Sequence, residues 1–133
     1  MALLAASRDG THAPPDSLHV LLERFDATVF DAPQGRARIR LIIPDAGQWD
    51  VLAGAGGATI TTVDPRVPAD ATLSADQRTW EGIARDLRGG MDAYRAGRLV
   101  IRHNLHLGVG LLAATSGVTG PARLRFQRIQ VLI

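Results

Sequence analysis

Residues 69–112 read ADATLSADQRTWEGIARDLRGGMDAYRAGRLVIRHNLHLGVGLL, and the succession of periodicities in that run decides the fold. Asp70 to Leu73 can form a short strand, and Ser74 with Gln77 has the spacing of a capping box that opens a helix. Trp80, Ile83, Ala84 and Leu87 then share one helical face. Gly89-Gly90 ends that helix before a second helical piece carrying Met91 and Tyr94, and Gly97 closes the piece. Leu99 and Ile101 alternate with Arg98 and Arg102 as in a half-buried strand. The period-two pattern continues formally through Leu105, Leu107, Val109 and Leu111, and Gly108 and Gly110 disfavour a helix, so taken alone the segment reads as strand throughout.

Upstream, Leu18, Leu21, Leu22, Phe25 and Val29 recur at helical spacing behind Asp16 or Ser17 as cap, which predicts a helix over 17–30. Strands are expected next at Arg36 to Pro44, where Ile39, Leu41 and Ile43 alternate with arginines, at Gln48 to Gly54 and at the β-branched run Ala58 to Val63. Turn chemistry at Pro44 to Gly47 joins the first two, so the three look like a meander. Residues 1–15 lack periodicity and read as a flexible N-terminal arm. Residues 122–133 are strand-like with a switch of apolar phase, and are expected to be either a C-terminal strand of this domain or the start of a following one. The folded unit is accordingly expected over 16–121.

Composition removes several kinds of chemistry. All 15 basic residues are arginine and Cys is absent, so lysine Schiff bases, a P-loop lysine and thiol nucleophiles are excluded from this chain. A net charge of +2 does not call for nucleic acid as a partner. Gly54-Ala55-Gly56-Gly57-Ala58-Thr59 begins like a dinucleotide fingerprint, but Thr59 replaces the third glycine and a β-branched run comes after it, so the stretch reads as a hairpin turn. His103 and His106 have no nearby acidic or thiol partner downstream for a metal and read as surface or cap residues. The serines lie in no nucleophile elbow. The expectation is a non-enzyme without cofactor or metal. The arginines at 85, 88, 95, 98 and 102 form a denser group that could meet an anionic membrane surface or a ligand's acidic group.

Ala-Asp-Ala-Thr-Leu-Ser at 69–74, the amphipathic helix, Gly89-Gly90 and Ala-Tyr-Arg-Ala-Gly-Arg-Leu-Val-Ile-Arg-His-Asn-Leu-His-Leu at 93–107 together resemble the sterol carrier protein 2 family. Tyr94, Gly97, Leu99, Ile101 and Asn104 occupy the pattern's aromatic, glycine, strand and turn places, and His103 stands where the family usually has glycine. The resemblance extends over about residues 17–114. It implies an α/β (α+β) fold, with a mixed five-stranded sheet, helices on one face and an apolar tunnel between them. It also implies a helix at 105–114, against the period-two reading, and the helix is preferred here.

On that basis the expected function is non-catalytic binding or presentation of a sterol, fatty acid or acyl chain, in the cytoplasm, within or beside a larger enzyme. The residues expected to line the wall are Phe25, Ile39, Leu41, Trp80, Ile83, Met91, Tyr94, Ile101, Leu105, Val109 and Leu112. The competing expectation is an interaction or scaffolding domain that has no cavity and serves an attached enzyme.

Overall fold

The computed structural model describes residues 13–85 and 89–116. Most of the expected N-terminal arm, Leu87 and the strand-like run 122–133 lie outside the described residues. Strands β1 (Arg36–Ile43), β2 (Gly47–Gly54) and β3 (Gly57–Thr62) form the expected antiparallel meander. On the other side of β1, β4 (Ala71–Ser74) runs parallel and β5 (Val100–Arg102) pairs antiparallel with β4, giving a mixed five-stranded sheet in the order β3-β2-β1-β4-β5. The period-two pattern has a direct consequence in this register. Ile39 lies opposite both Val51 and Ala71, Leu41 opposite both Trp49 and Leu73, and Ile101 opposite Leu73, so one apolar face runs unbroken across the sheet.

Four helices contribute to the layer that packs against that face: α1 (Asp16–Glu23), α2 (Gln77–Arg85), α3 (Gly89–Arg95) and α4 (Leu105–Ala114). Trp80 fastens α2 to the sheet by packing in the core and donating its indole N–H to the carbonyl of Ile42 at 3.3 Å.

Helix α1 is shorter than its apolar spacing predicts, ending at Glu23 rather than near residue 30. The residues just beyond it are the cause. Arg24 turns inward and donates to the carbonyls of Thr115 (Nε, 2.9 Å) and Ala84 (Nη1, 2.6 Å), and the Asp26 N–H bonds the Ala114 carbonyl at 2.9 Å. These bonds draw the backbone off the helical path. The Asp26 carboxylate then accepts from the Thr28 N–H and hydroxyl, which fixes the turn. Phe25 and Val29 still reach the core, but from a looped segment, and Phe25 stacks at a tilt on Phe30 with ring centroids 5.5 Å apart.

Two further boundaries differ from the reading of the sequence. The cap of α2 is Asp76, whose Oδ1 accepts from the Thr79 N–H at 2.7 Å, while Ser74 is the last residue of β4. Hydrogen bonding from Thr79 holds the exposed Asp76 carboxyl below the usual carboxylate range, and the charges of Arg78 and Arg98 act in the same direction. Gly89 and Gly90 belong to the start of α3 and do not lie between two helices.

The segment 105–114 is a helix, as the family resemblance implies and against the alternation of its apolar residues. Asn104 decides it. Its side chain caps α4 by accepting from the Leu107 N–H at 3.1 Å, and His103 just before it takes a left-handed conformation with φ of 76°. That reversal ends β5 at Arg102. It also explains the family's preference for glycine at this place, since glycine adopts positive φ without steric cost.

The second face of the sheet carries a charge the alternation would have left in solvent. Asp50 is fully buried there, held by Arg40 through Nε at 2.8 Å and Nη2 at 3.1 Å and by Arg38 through Nη1 at 2.9 Å. Arg40 also donates to the Val67 carbonyl, so the 63–70 connection closes over the group. Hydrogen bonding to Asp50 raises the Arg40 guanidinium above arginine's ordinary range, outweighing the opposing effect of burial. Both guanidiniums keep some contact with water. Asp50→Ala strands two partly buried cations and is expected to cost about 2 to 4 kcal/mol, toward the lower part of the range for breaking buried ion pairs. Differential scanning calorimetry should show the melting temperature falling by on the order of 10 °C.

Candidate functional site

Helix α4 is the most completely apolar of the described helices. Every residue from Leu107 to Ala114 is buried, on all sides of the helix. One side lies on β1, β4 and β5, another meets α3, and the ring of Phe30 covers Gly110. A helix with no polar face can be soluble only when enclosed in this way.

Ten of the eleven residues expected at the wall lie in or against one hydrophobic cluster that includes α4. Ile39 and Leu41 come from β1, Trp80 and Ile83 from α2, Met91 from α3, and Val109 and Leu112 from α4, all buried in one hydrophobic cluster. Phe25, Tyr94 and Ile101 pack against that cluster half-buried, whereas Leu105 lies outside it, 52% exposed in the first turn of α4. Leu18 and Leu21 of α1, Trp49, Leu99, Leu107 and Leu111 belong to the same cluster and were not among the residues expected from the sequence. Their periodicity marked them as apolar, but nothing in it separated wall from filling.

Glycines set how closely α4 can approach its neighbours. A methyl group at Gly108 would overlap Cγ2 of Ile101, so β5 and α4 touch at a distance only glycine permits. A methyl at Gly90 would come within 2.9 Å of Leu112 Cδ2, so α3 also packs tightly on α4.

A concavity of about 480 Å³ opens between α2 and α3. Gly82, Ile83 and Ala93 give it an apolar surface. Around them stand Asp76, Arg78, Thr79, Asp92 and Arg98. Of the arginines that are dense in the sequence, Arg85, Arg95, Arg98 and Arg102 are exposed, and Arg88 lies outside the described residues. Arg85 and Arg95 occupy the last turns of α2 and α3, where a cation complements the helix dipole. Arg78 was missed as a candidate because it is separated from that run in sequence, and the fold brings it to the same cleft as Arg98. His103 and His106 are exposed and His106 faces Asp31 at 3.5 Å. None of the described helices is long and apolar enough to cross a membrane.

Neither a family model nor a curated protein matches the sequence. Solved structures do match. A ubiquinone synthesis protein, UbiJ-SCP2, superposes with a TM-score of 0.52 at 13% identity, over 79% of this chain and 94% of that one. The stereoselective inverting sec-alkylsulfatase Pisa1 from Pseudomonas sp. superposes at 0.54 and 16% identity, over 80% of this chain, which spans 17% of that enzyme. At such identities the likeness is one of fold. The chain has the sterol carrier protein 2-like fold that its sequence resembles, with the mixed sheet and the helical layer in the expected places.

The two glycines of α4 make opposite predictions. Alanine gains roughly 1 kcal/mol over glycine inside a helix, but at 108 it must displace Ile101, and such overpacking costs about 1 to 3 kcal/mol. Gly108→Ala should therefore lower stability in urea denaturation. At Gly110 a new methyl meets the Phe30 ring at an ordinary 3.7 Å. Gly110→Ala should leave the midpoint unchanged or raise it.

Proposed function

We propose that this chain binds and presents a sterol, fatty acid or acyl chain between the apolar sheet face and the helical layer, without catalysing a reaction. The observation that carries this reading is α4, apolar on every side and enclosed by the sheet, α3 and the Phe25 to Phe30 segment. All the expected wall residues except Leu105 belong to the hydrophobic cluster that includes α4 or pack against it. The shared fold with a protein named for ubiquinone synthesis supports the same class of ligand. A role as one module of a larger enzyme is supported by the likeness to a sixth of an alkylsulfatase. We place that role in the cytoplasm. The exposed arginines would add weak, salt-sensitive attraction to anionic membranes, each contributing about 1 kcal/mol near the surface.

Chain burial at roughly 0.8 kcal/mol per methylene, set against several kcal/mol lost on association, places the expected affinity for a sixteen-carbon acid in the micromolar range. Native mass spectrometry of freshly purified protein should show co-purified lipid, and a fluorescent fatty acid should bind and be displaced by unlabelled palmitate. Leu112→Trp enlarges a residue where α3 packs tightly on α4, so it should exclude the probe and also lower the melting temperature, since overpacking costs about 1 to 3 kcal/mol. Absence of co-purified lipid and of probe binding in the unmutated protein would make the region plain core and favour the interaction-domain alternative.

A further inference from the structure

The cleft between α2 and α3 combines features that the packing of the fold does not require. Gly82 sits in the interior of α2, where glycine costs roughly fivefold in helix stability relative to alanine. Nothing lies within 4 Å of where its Cβ would be, so no close approach of neighbouring elements demands it. The effect of glycine here is to leave the cleft open. Above this surface the guanidinium groups of Arg78 and Arg98 make no hydrogen bond or ion pair with any described residue, and the same holds for the Asp92 carboxylate. Both arginines line the same cleft as Asp76, Arg78 from α2 and Arg98 from the loop before β5. Ile83 belongs at once to the cleft and to the hydrophobic cluster around α4.

We propose that this cleft seats the anionic head of a single-chain amphiphile, with Arg78 and Arg98 donating to the head and the first methylenes lying over Gly82 and Ala93 toward Ile83. The guanidinium forks suit an oxyanion such as a carboxylate or an alkyl sulfate. Among the described residues of the cleft, Asp76 and Asp92 balance the charges of Arg78 and Arg98, so a singly charged head is favoured over a dianionic phosphate monoester. The assignment rests on the apolar-ligand reading for the chain, and adds to it the polarity of the ligand and the direction in which it lies.

The test uses decanoate, decyl sulfate, decyl phosphate and decanol as probes, with isothermal titration calorimetry for affinity and amide NMR shifts for location. Decanoate and decyl sulfate are expected to bind at least tenfold more tightly than decanol, with decyl phosphate at pH 8 weaker than either, and to shift the Thr79, Gly82 and Ala93 amides. Arg78→Gln and Arg98→Gln should each weaken the singly charged probes three- to tenfold and leave decanol unchanged. Gly82→Leu should weaken decanoate while its melting temperature holds or rises, because the new side chain enters open space. Equal affinity for decanoate and decanol, equal effects of the arginine variants on both, or shifts that avoid this cleft would overturn the assignment and leave the apolar-ligand reading standing. Failure of decanol and decanoate alike to bind would instead remove the apolar-ligand reading, and this assignment with it.

Discussion

The guanidinium of Arg24 donates to the carbonyls of Ala84 and Ile83 at the end of α2 and to that of Thr115 beyond α4, and the arrangement of the helical layer depends on this contact. Helices end with carbonyls that lack intrahelical partners and with partial negative charge, and a partly buried cation between two such ends satisfies both. Because Arg24 directly succeeds α1, three helices that are distant in sequence are held at one corner. The short α1, the tilted pair of Phe25 and Phe30, and the closure over Gly110 all result from the chain turning inward at this point.

The sheet is stabilised differently on its two faces. Its inner face is aliphatic and continuous, and non-directional burial is enough to hold it against the helices. Its outer face depends on directional contacts, in which Arg38 and Arg40 surround Asp50 and the 63–70 connection is tied down through Val67 and Asp70. An ion group of this kind adds little net stability over well-packed apolar residues, but it fixes the register of β1 against β2, because Arg40 and Asp50 are direct cross-strand partners.

The strands, their alternation and the approximate helical segments were legible in the sequence because each arises from a local period. Ile39, Leu41 and Ile43 mark the inner face of β1 whatever surrounds them, and Trp80 with Ile83 marks the buried side of α2. What failed locally was decided at a distance. Leu105 to Leu111 alternates like a strand, and the helix there depends on Asn104 as a cap and on His103 accepting a strained backbone. Phe25 and Val29 carry a helical period that Arg24 overrides through residues far along the chain. The proposed wall residues were legible as apolar, but Arg78 was not legible as a neighbour of Arg98, since only the packing of α2 beside α3 joins them.

The contact of Gly108 with Ile101 has an evolutionary reading. Two elements separated by one short turn meet where one side chain occupies the room the other would need. Neither position is free to drift alone. A lineage that gained alanine at 108 would need to lose the β-branch methyl at 101, through alanine or another residue unbranched at Cβ, to keep β5 and α4 in the same relation, and one that kept a β-branched residue at 101 would be confined to glycine at 108. The pair should therefore covary through sequence divergence as deep as that separating this chain from proteins of the same fold, with their summed volume preserved while either identity changes.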